Sequence, residues 1–326
     1  MADQNILLAA TAKGAATYIG TFQRTEAKYI LSAQQYAAIL ELIKSHLEPD
    51  AYPHTLVTSL YFDTPDNALI ERSLEKPVYK EKLRARVYRS LDGEAGRTAA
   101  VEHVFVELKK KYKGTVYKRR IALSVQAAAA FLQGMPYETA VKAYPLHGGA
   151  DASQQLSAKS CQVAREITAF VQRYADLQPA MYTECERTSW HENGTQLRVT
   201  FDAGVCASRV VADPFAFRLP KHSMNLLESG QVLMEIKQVG ALPTWLVEAL
   251  TAYRIFPQSF SKYGTAYQKE MVAKGKLHAA CLAGKPAENL AAPTATAQVS
   301  QVRHSNRAAQ RPIASINGSE SKALYA

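Results

Sequence analysis

The chain has 326 residues, of which 47% are hydrophobic and 21% charged, and its formal net charge is +10. This length supports a full core in one large domain or two small ones. No apolar run approaches the roughly 20 residues of a transmembrane helix. Four widely spaced cysteines without a CxxC pair argue against a disulfide framework or a structural zinc site. The charge predicts an acidic partner, which can be nucleic acid, a phosphate compound or an anionic membrane.

In chain order, the hydrophobic spacing predicts strands and helices between a loose leader at 1–17 and a disordered tail at 283–326. The predicted strands are Arg24–Leu31, Leu56–Phe62, Tyr79–Val87, Val104–Lys111, Val116–Leu123, Ala180–Trp190, Gln196–Asp202 and Val232–Lys237. The predicted helices are Ala33–Leu47, Val125–Leu132, Ser160–Ala175, Pro243–Tyr253 and Lys262–Lys274, with a helical turn from Asp63 to Leu74. We expect one domain at 18–275 with a polar insertion at 134–158. Because Met1–Asn5 lacks the basic region of a secretory signal, the expected location is cytoplasmic.

One block of the chain holds nearly all of the net charge. Residues 76–120 contain 14 basic and five acidic residues, a surplus of nine out of ten. Within this block, cations recur at every second position: Lys80, Lys82, Arg84 and Arg86. Successive side chains of a strand point to opposite faces, so one face carries four cations and the other is mostly apolar. The block is therefore predicted to be ordered strand rather than a disordered basic tail.

At least six predicted strands combine an apolar face with a face of paired charges. A polar face toward solvent is ordinary in an antiparallel sheet, but these faces are dense in Arg and Lys, with single glutamates at Glu26, Glu107 and Glu235. Packing them together is costly unless a ligand neutralises them. The pattern predicts an α+β fold in which a closed antiparallel β-barrel forms a charged tunnel flanked by helices. Phosphates suit its cations, and Mg²⁺ or Mn²⁺ suits its carboxylates.

Other chemistries find little support in the sequence. It has no GxxxxGK[ST] loop and no GxGxxG after a strand, which excludes P-loop and dinucleotide-binding sites of the usual kind. His191-Glu192 lacks the second histidine of a zinc protease motif. The tyrosines do not follow the aromatic spacing of an RNA-recognition sheet.

Nine short segments occur in order along the chain. They are RTEAKY (Arg24–Tyr29), SLYFDTPD (Ser59–Asp66), YKEKLRARVY (Tyr79–Tyr88), VFVELKKK (Val104–Lys111), YKRR (Tyr117–Arg120), ERTSW (Glu186–Trp190), LRVTFD (Leu197–Asp202), LMEIK (Leu233–Lys237) and SFSKYGTAY (Ser259–Tyr267). In this order the sequence resembles the VTC (vacuolar transporter chaperone) polyphosphate polymerase domain, of the triphosphate tunnel metalloenzyme superfamily. The resemblance covers about residues 22–270.

The resemblance implies a β-barrel tunnel in which polyphosphate grows from ATP. The implied phosphate ligands are Lys28, Arg84, Arg86, Lys109, Lys118, Arg187, Arg198 and Lys262. Glu235 is implied as the ligand of Mn²⁺ or Mg²⁺, with Glu107 and Glu26 as further candidates. By strand parity, four further cations face the same side of the sheet as these ligands: Lys80, Lys82, Arg120 and Lys237. Arg24 stands where the wider superfamily has the first acid of an ExExK strand, which favours the polymerase branch over a plain triphosphatase.

Two alternatives stay open at this point. One is a metal-dependent tunnel triphosphatase, and the other is a non-catalytic protein that binds polyphosphate or a nucleotide. The expected partners are ATP and inorganic polyphosphate. Nucleic acid is not expected, because a narrow tunnel excludes a duplex. No membrane segment is expected in this chain, although a membrane partner is compatible with the resemblance, and the sequence sets no oligomeric state.

Overall fold

A computed structural model describes residues 24–275 apart from 93–99, 102, 147–154 and 175. The strands are β1 (Arg24–Leu31), β2 (Glu48–Asp63), β3 (Tyr79–Ser90), β4 (Val104–Tyr112), β5 (Thr115–Leu123), β6 (Gln178–His191), β7 (Arg198–Arg209), β8 (Met224–Asn225) and β9 (Val232–Val239). The helices are α1 (Ala33–His46), α2 (Ala68–Leu74), α3 (Val125–Leu132), α4 (Tyr137–Ala143), α5 (Ala158–Arg173), α6 (Thr244–Ala252) and α7 (Lys262–Ala273). The predicted leader at 1–17 and tail at 283–326 lie outside the described residues.

The nine strands form one antiparallel sheet in the order β1-β9-β7-β6-β2-β3-β4-β5, with β8 paired to β7. The sheet is curled, because Glu26 on β1 and Lys109 on β4 lie within electrostatic range although they are six strands apart in this order. The α+β fold with a curled antiparallel sheet is confirmed. Among the described strands no backbone ladder joins β1 to β5, so the structure shows a half-barrel, and full closure stays a prediction.

Helices cover the convex face of the sheet. Leu83 and Val106 of β3 and β4 pack in one buried cluster with Phe131 of α3 and Ile167 of α5. A second cluster joins β1, β7 and β9 to α1 and α6, with Met234 fully buried. Each fully buried side chain of this size stabilises the fold by about 1.5–3 kcal/mol. The apolar half of the strand alternation therefore faces the helices, which leaves the charged half on the concave face.

Helices α2 and α7 close part of the concave side. The buried carboxylate of Asp63 accepts hydrogen bonds from the Leu69 and Ile70 amides at 2.9 and 3.0 Å and from the Tyr263 hydroxyl at 2.7 Å. The Tyr263 ring stacks on Tyr61 of β2 with centroids 5.0 Å apart. These contacts hold the N-terminus of α7, which begins at Lys262, against the charged face.

The main differences from the sequence prediction concern β2, β7 and α4, and the two-residue strand β8 was also not predicted. Strand β2 begins at Glu48 rather than at the predicted Leu56. Its first half was not predicted because it is largely exposed and has no apolar alternation. Strand β7 continues to Arg209, beyond the predicted Asp202. The segment predicted as a polar insertion includes α4, which buries Tyr137 and Val141 in the core, whereas 147–154 lie outside the described residues. No helix within the described ranges is both long and apolar enough to cross a bilayer.

Candidate functional site

The charged side chains predicted for the site face the concave side of the sheet. Residues directly opposite in a ladder share a face. Opposite pairs are Glu26 and Lys237, Lys28 and Glu235, Arg198 and Lys237, Lys82 and Lys109, Arg84 and Glu107, Glu107 and Arg120, and Lys109 and Lys118. Arg86 lies two residues after Arg84, and Lys80 two residues before Lys82. Arg187 of β6 is opposite Asp202 of β7, which Lys262 of α7 also contacts.

Glu107 is a deeply enclosed carboxylate of this face, with its side chain only 1% exposed. It accepts from Arg84 Nε at 2.7 Å, from Arg120 Nε at 2.6 Å and from Lys118 Nζ at 3.1 Å. Burial opposes ionisation, but these cations together with Arg86 hold the pKa of Glu107 well below its usual range. Both oxygens are therefore occupied by cations, which makes Glu107 an anchor for three phosphate-binding candidates.

Two other carboxylates lie side by side at the edge of the sheet. Lys28 on β1 contacts both Glu26 and Glu235, the latter at 3.4 Å, and Lys237 Nζ lies 2.6 Å from Glu235 Oε1. Burial opposes ionisation of Glu235, but Lys237, Lys28 and Arg187 keep its pKa well below the usual range. The pKa of Glu26 is also lowered, because Lys109, Lys28 and Lys237 outweigh its burial and the neighbouring Glu235.

This carboxylate pair fits a divalent cation that also binds phosphate. Mg²⁺ is commonly held by one or two carboxylates together with substrate phosphates. Glu26 and Glu235 offer two carboxylates whose cationic contacts are Lys28 and Lys237, whereas Glu107 is enclosed by two arginines and a lysine. Among the described residues no group of three or more His, Cys, Asp or Glu side chains could hold a metal by itself. The donor set therefore suits a cation that arrives with, or completes its shell from, a phosphate ligand.

Asp202 organises two further cations and was absent from the predicted site. Its buried carboxylate forms a bidentate pair with Arg187, with distances of 2.6 Å from Nε and 2.8 Å from Nη2, and it also contacts Lys262 Nζ. Burial opposes its ionisation, but Arg187 and Lys262 lower the pKa of Asp202. The period-two spacing of Arg198, Thr200 and Asp202 carried the signal that Asp202 faces inward.

Three central cations have no carboxylate within 4.0 Å among the described residues: Lys82, Arg86 and Lys109. Arg86 is buried, and its Nε donates to Ser59 Oγ at 2.8 Å. Lys82 Nζ donates to Ser261 Oγ at 3.3 Å, and its burial lowers its pKa to about 8. Burial also lowers the pKa of Lys109. Buried cations without counter-ions are costly, so this part of the face has the electrostatics of a site for an anionic ligand.

Arg198 and Lys80 lie at the periphery of the cluster. Arg198 Nη2 is 2.7 Å from Asp50 Oδ2 on the first half of β2. Lys80 Nζ donates to the Ser73 carbonyl at the end of α2, at 3.0 Å. Both face the concave side, and their partners Asp50 and Ser73 lie outside the three carboxylate clusters described above.

Two tyrosines also belong to this face, and the sequence reasoning missed them. The Tyr61 hydroxyl accepts from Arg84 Nη1, and the Tyr88 hydroxyl from Arg120 Nη2, both at 3.3 Å. Burial raises phenol pKa values, yet Arg84 and Arg86 lower the pKa of Tyr61 to about 8. Burial and Glu107 raise the pKa of Tyr88, but Arg86, Arg120 and Lys118 outweigh them and lower it to about 7. Their inward parity on β2 and β3 was the available signal.

Comparison with known proteins identifies the family. The family model of the VTC domain matches residues 23–271. No curated protein matches the chain. The solved structures found by comparison include HpAC1 from Hippeastrum, described as having a dominant triphosphatase activity, at 13% identity and TM-score 0.39, covering 78% of this chain and 97% of that one.

Two further solved structures are similar at the same low level. The PH1819 protein from Pyrococcus horikoshii is 12% identical at TM-score 0.34, covering 77% of this chain and 99% of that one. The Mimivirus capping enzyme triphosphatase is 9% identical at TM-score 0.30, covering 70% and 89%. The family assignment rests on the VTC domain match.

Proposed function

The chain belongs to the VTC domain family, and on that premise we propose that it is an ATP-dependent polyphosphate polymerase. It transfers the γ-phosphate of ATP to the end of a polyphosphate chain bound on the concave face. The observation that carries the proposal is the group of central cations, Lys82, Arg86 and Lys109, that face no carboxylate within 4.0 Å in the described chain. A linear polyanion supplies the missing negative charge.

The reaction needs positioning and charge neutralisation more than a protein base. A terminal oxygen of the polyphosphate forms a bond to the γ-phosphorus, the bond from that phosphorus to the bridging oxygen of ADP breaks, and ADP leaves with the electron pair. Because the attacking oxygen is already anionic, no proton has to be removed. Arg84 and Arg86 present guanidinium donors to the equatorial oxygens, and Lys109 and Lys118 add point charges.

The proposal includes Mn²⁺ or Mg²⁺, held by Glu235 with Glu26 beside it. When bound, such a cation neutralises charge on the transferring phosphoryl group. Lys28 and Lys237 then have two roles, because they pair with these carboxylates in the present structure and can turn toward phosphate when a cation takes the carboxylates. A cytoplasmic location is part of the proposal, since ATP is the donor and the buried Cys185 is a free thiol.

The first test is product analysis of the purified protein with ATP and Mn²⁺ or Mg²⁺. If the protein is a polymerase, we expect ADP and an acid-labile phosphate polymer to accumulate together. Release of ADP and free phosphate without polymer identifies a triphosphatase instead. Tight polyphosphate binding without turnover identifies a non-catalytic binder, and absence of phosphate binding refutes a phosphate tunnel altogether.

Arg86→Gln is the most informative variant for testing the phosphate site. Arg86 pairs with no described carboxylate, so its removal leaves no buried carboxylate without an ion-pair partner. We expect kcat/KM to fall by about 100- to 1,000-fold, the usual effect of losing one charge-stabilising donor. The matched control is Arg119→Gln on the opposite face of β5, where Arg119 is 42% exposed and pairs with Glu166. Equal activity in the two variants contradicts the assignment of Arg86.

A further inference from the structure

The ladder between β3 and β4 places like charges directly opposite each other twice in succession. Lys82 faces Lys109. Two residues away, near the start of β3 and the end of β4, Lys80 faces Lys111. Like charges directly opposite in a sheet are destabilising. Two such pairs, about 7 Å apart along the strands, form a continuous row of four cations on the concave side.

Carboxylates of the same strands cannot neutralise this row. Glu81 lies between Lys80 and Lys82 but points to the convex side, where it is buried and accepts from the Tyr79 and Tyr174 hydroxyls. No carboxylate lies within 4.0 Å of the four lysines among the described residues. Burial first, and then the neighbouring Lys111 and Lys76, lower the pKa of Lys80, as expected for a cation in a positive surrounding.

On the other side of the Lys82–Lys109 pair, the next inward-facing pair of the ladder is neutral, so the row of excess positive charge extends in one direction only. Arg84 faces Glu107, so the charge is compensated there. In the opposite direction along the strands exposure increases at the last position: Lys80, Lys82 and Lys109 are partly buried, and Lys111 is exposed near the turn that joins β4 to β5. The uncompensated charge therefore runs from the central cations outward to the surface, beyond the reach of a short ligand bound beside Glu107.

We propose that Lys80 and Lys111, continuing from Lys82 and Lys109, form a subsite for the extended part of a linear polyphosphate chain. This inference rests on the proposed function, since it assumes that the same face binds polyphosphate. The subsite distinguishes a long chain from a triphosphate, because Arg86 and Lys80 are six residues or about 20 Å apart along β3, and only a long chain spans both. It also sets the path along which the chain leaves the reaction centre.

The test compares two ligands on one double variant. Binding of tripolyphosphate and of long-chain linear polyphosphate is measured by calorimetry for the full-length wild type and for Lys80→Gln/Lys111→Gln. We expect long-chain affinity to fall about tenfold, the effect of two partly exposed charge contacts. Its salt dependence becomes shallower, because fewer counter-ions are exchanged. Tripolyphosphate affinity stays within about twofold.

The matched control is Lys110→Gln/Lys113→Gln, which removes the same charge from neighbouring positions. Lys110 points to the convex side and contacts Glu166, and Lys113 lies in the turn over the Tyr112 ring. The inference is overturned if the control weakens long-chain binding equally, or if the Lys80/Lys111 variant weakens both ligands alike or neither. Wild-type protein that discriminates chain length but builds no polymer contradicts the polymerase proposal and leaves the subsite standing.

Discussion

Removal of the charge of Glu107 tests the electrostatic architecture of the concave face. Glu107→Gln keeps the shape of the side chain but leaves Arg84, Lys118 and Arg120 without their shared counter-ion. Breaking a buried ion pair by removing one partner costs about 3–5 kcal/mol. With a side chain only 1% exposed and three cationic partners, Glu107 meets the conditions for this range. That loss is a large share of a typical unfolding free energy of about 5–15 kcal/mol.

The assay is urea unfolding followed by circular dichroism at several pH values. Because the folded-state pKa of Glu107 lies far below its ordinary value, its stabilisation is complete above that ordinary value and is lost as the pH falls toward the folded-state pKa. The gap between wild type and Glu107→Gln should therefore be largest near neutral pH and shrink in acid. Added tripolyphosphate should stabilise the variant more than the wild type, because the freed cations can bind it.

The matched control is Glu166→Gln on the convex face. Glu166 also contacts two cations, Lys110 and Arg119, but all three side chains are 25–42% exposed, so a change of about 0–1 kcal/mol is expected. The reasoning is refuted if Glu107→Gln is as stable as Glu166→Gln, or if its deficit does not shrink in acid. A selective loss of Mn²⁺ binding in Glu107→Gln would instead make Glu107 a metal ligand.

Three other predictions concern single side chains. Tyr88 should titrate near pH 7 in tyrosinate absorbance, and tripolyphosphate affinity should fall above that pH as the phenolate competes for its cations. In Tyr88→Phe the change near pH 7 should be lost, whereas the changes near pH 8 from Tyr61 and Lys82 should remain. Titration of Tyr88 only near pH 10 contradicts this. Glu235→Gln should weaken Mn²⁺ binding by at least about tenfold, measured by electron paramagnetic resonance in the presence of tripolyphosphate. Glu228→Gln, at an exposed position, should leave Mn²⁺ binding unchanged. Equal Mn²⁺ affinities of the two variants would show that Glu235 is not a metal ligand. Glu81→Gln should lower the unfolding free energy by about 1–3 kcal/mol because it weakens the contact of α5 with β3, and an unchanged urea midpoint excludes that role.

Local patterns were sufficient to predict most of the framework. The Ser32 cap before α1 forms a capping box with Gln35, as helix-start signals indicate. The alternation in β3 correctly separated Leu83 and Val87, which pack under helices, from Arg84, which faces the concave side. Both signals depend on residues close in sequence. The first half of β2 escaped prediction because it lacks the apolar alternation on which strand prediction relies.

The pairing of charges could not be predicted in the same way. Asp202 meets Lys262 across 60 residues, and Asp63 meets Tyr263 across 200. Which cation faces which carboxylate depends on strand register, since a slip of one residue reverses the face of every side chain. It depends also on the curl that brings Lys109 near Glu26.

The sequence by itself therefore determined which side chains share the concave face and that this face is cationic, because strand alternation is a local property of the backbone. Only the tertiary structure decided that Glu107 and Asp202 each contact two or more cations, that Glu26 and Glu235 lie together, and that Lys82 and Lys109 have no carboxylate within 4.0 Å among the described residues. The physical reason is that neutralisation is set by distances between strands far apart in the chain.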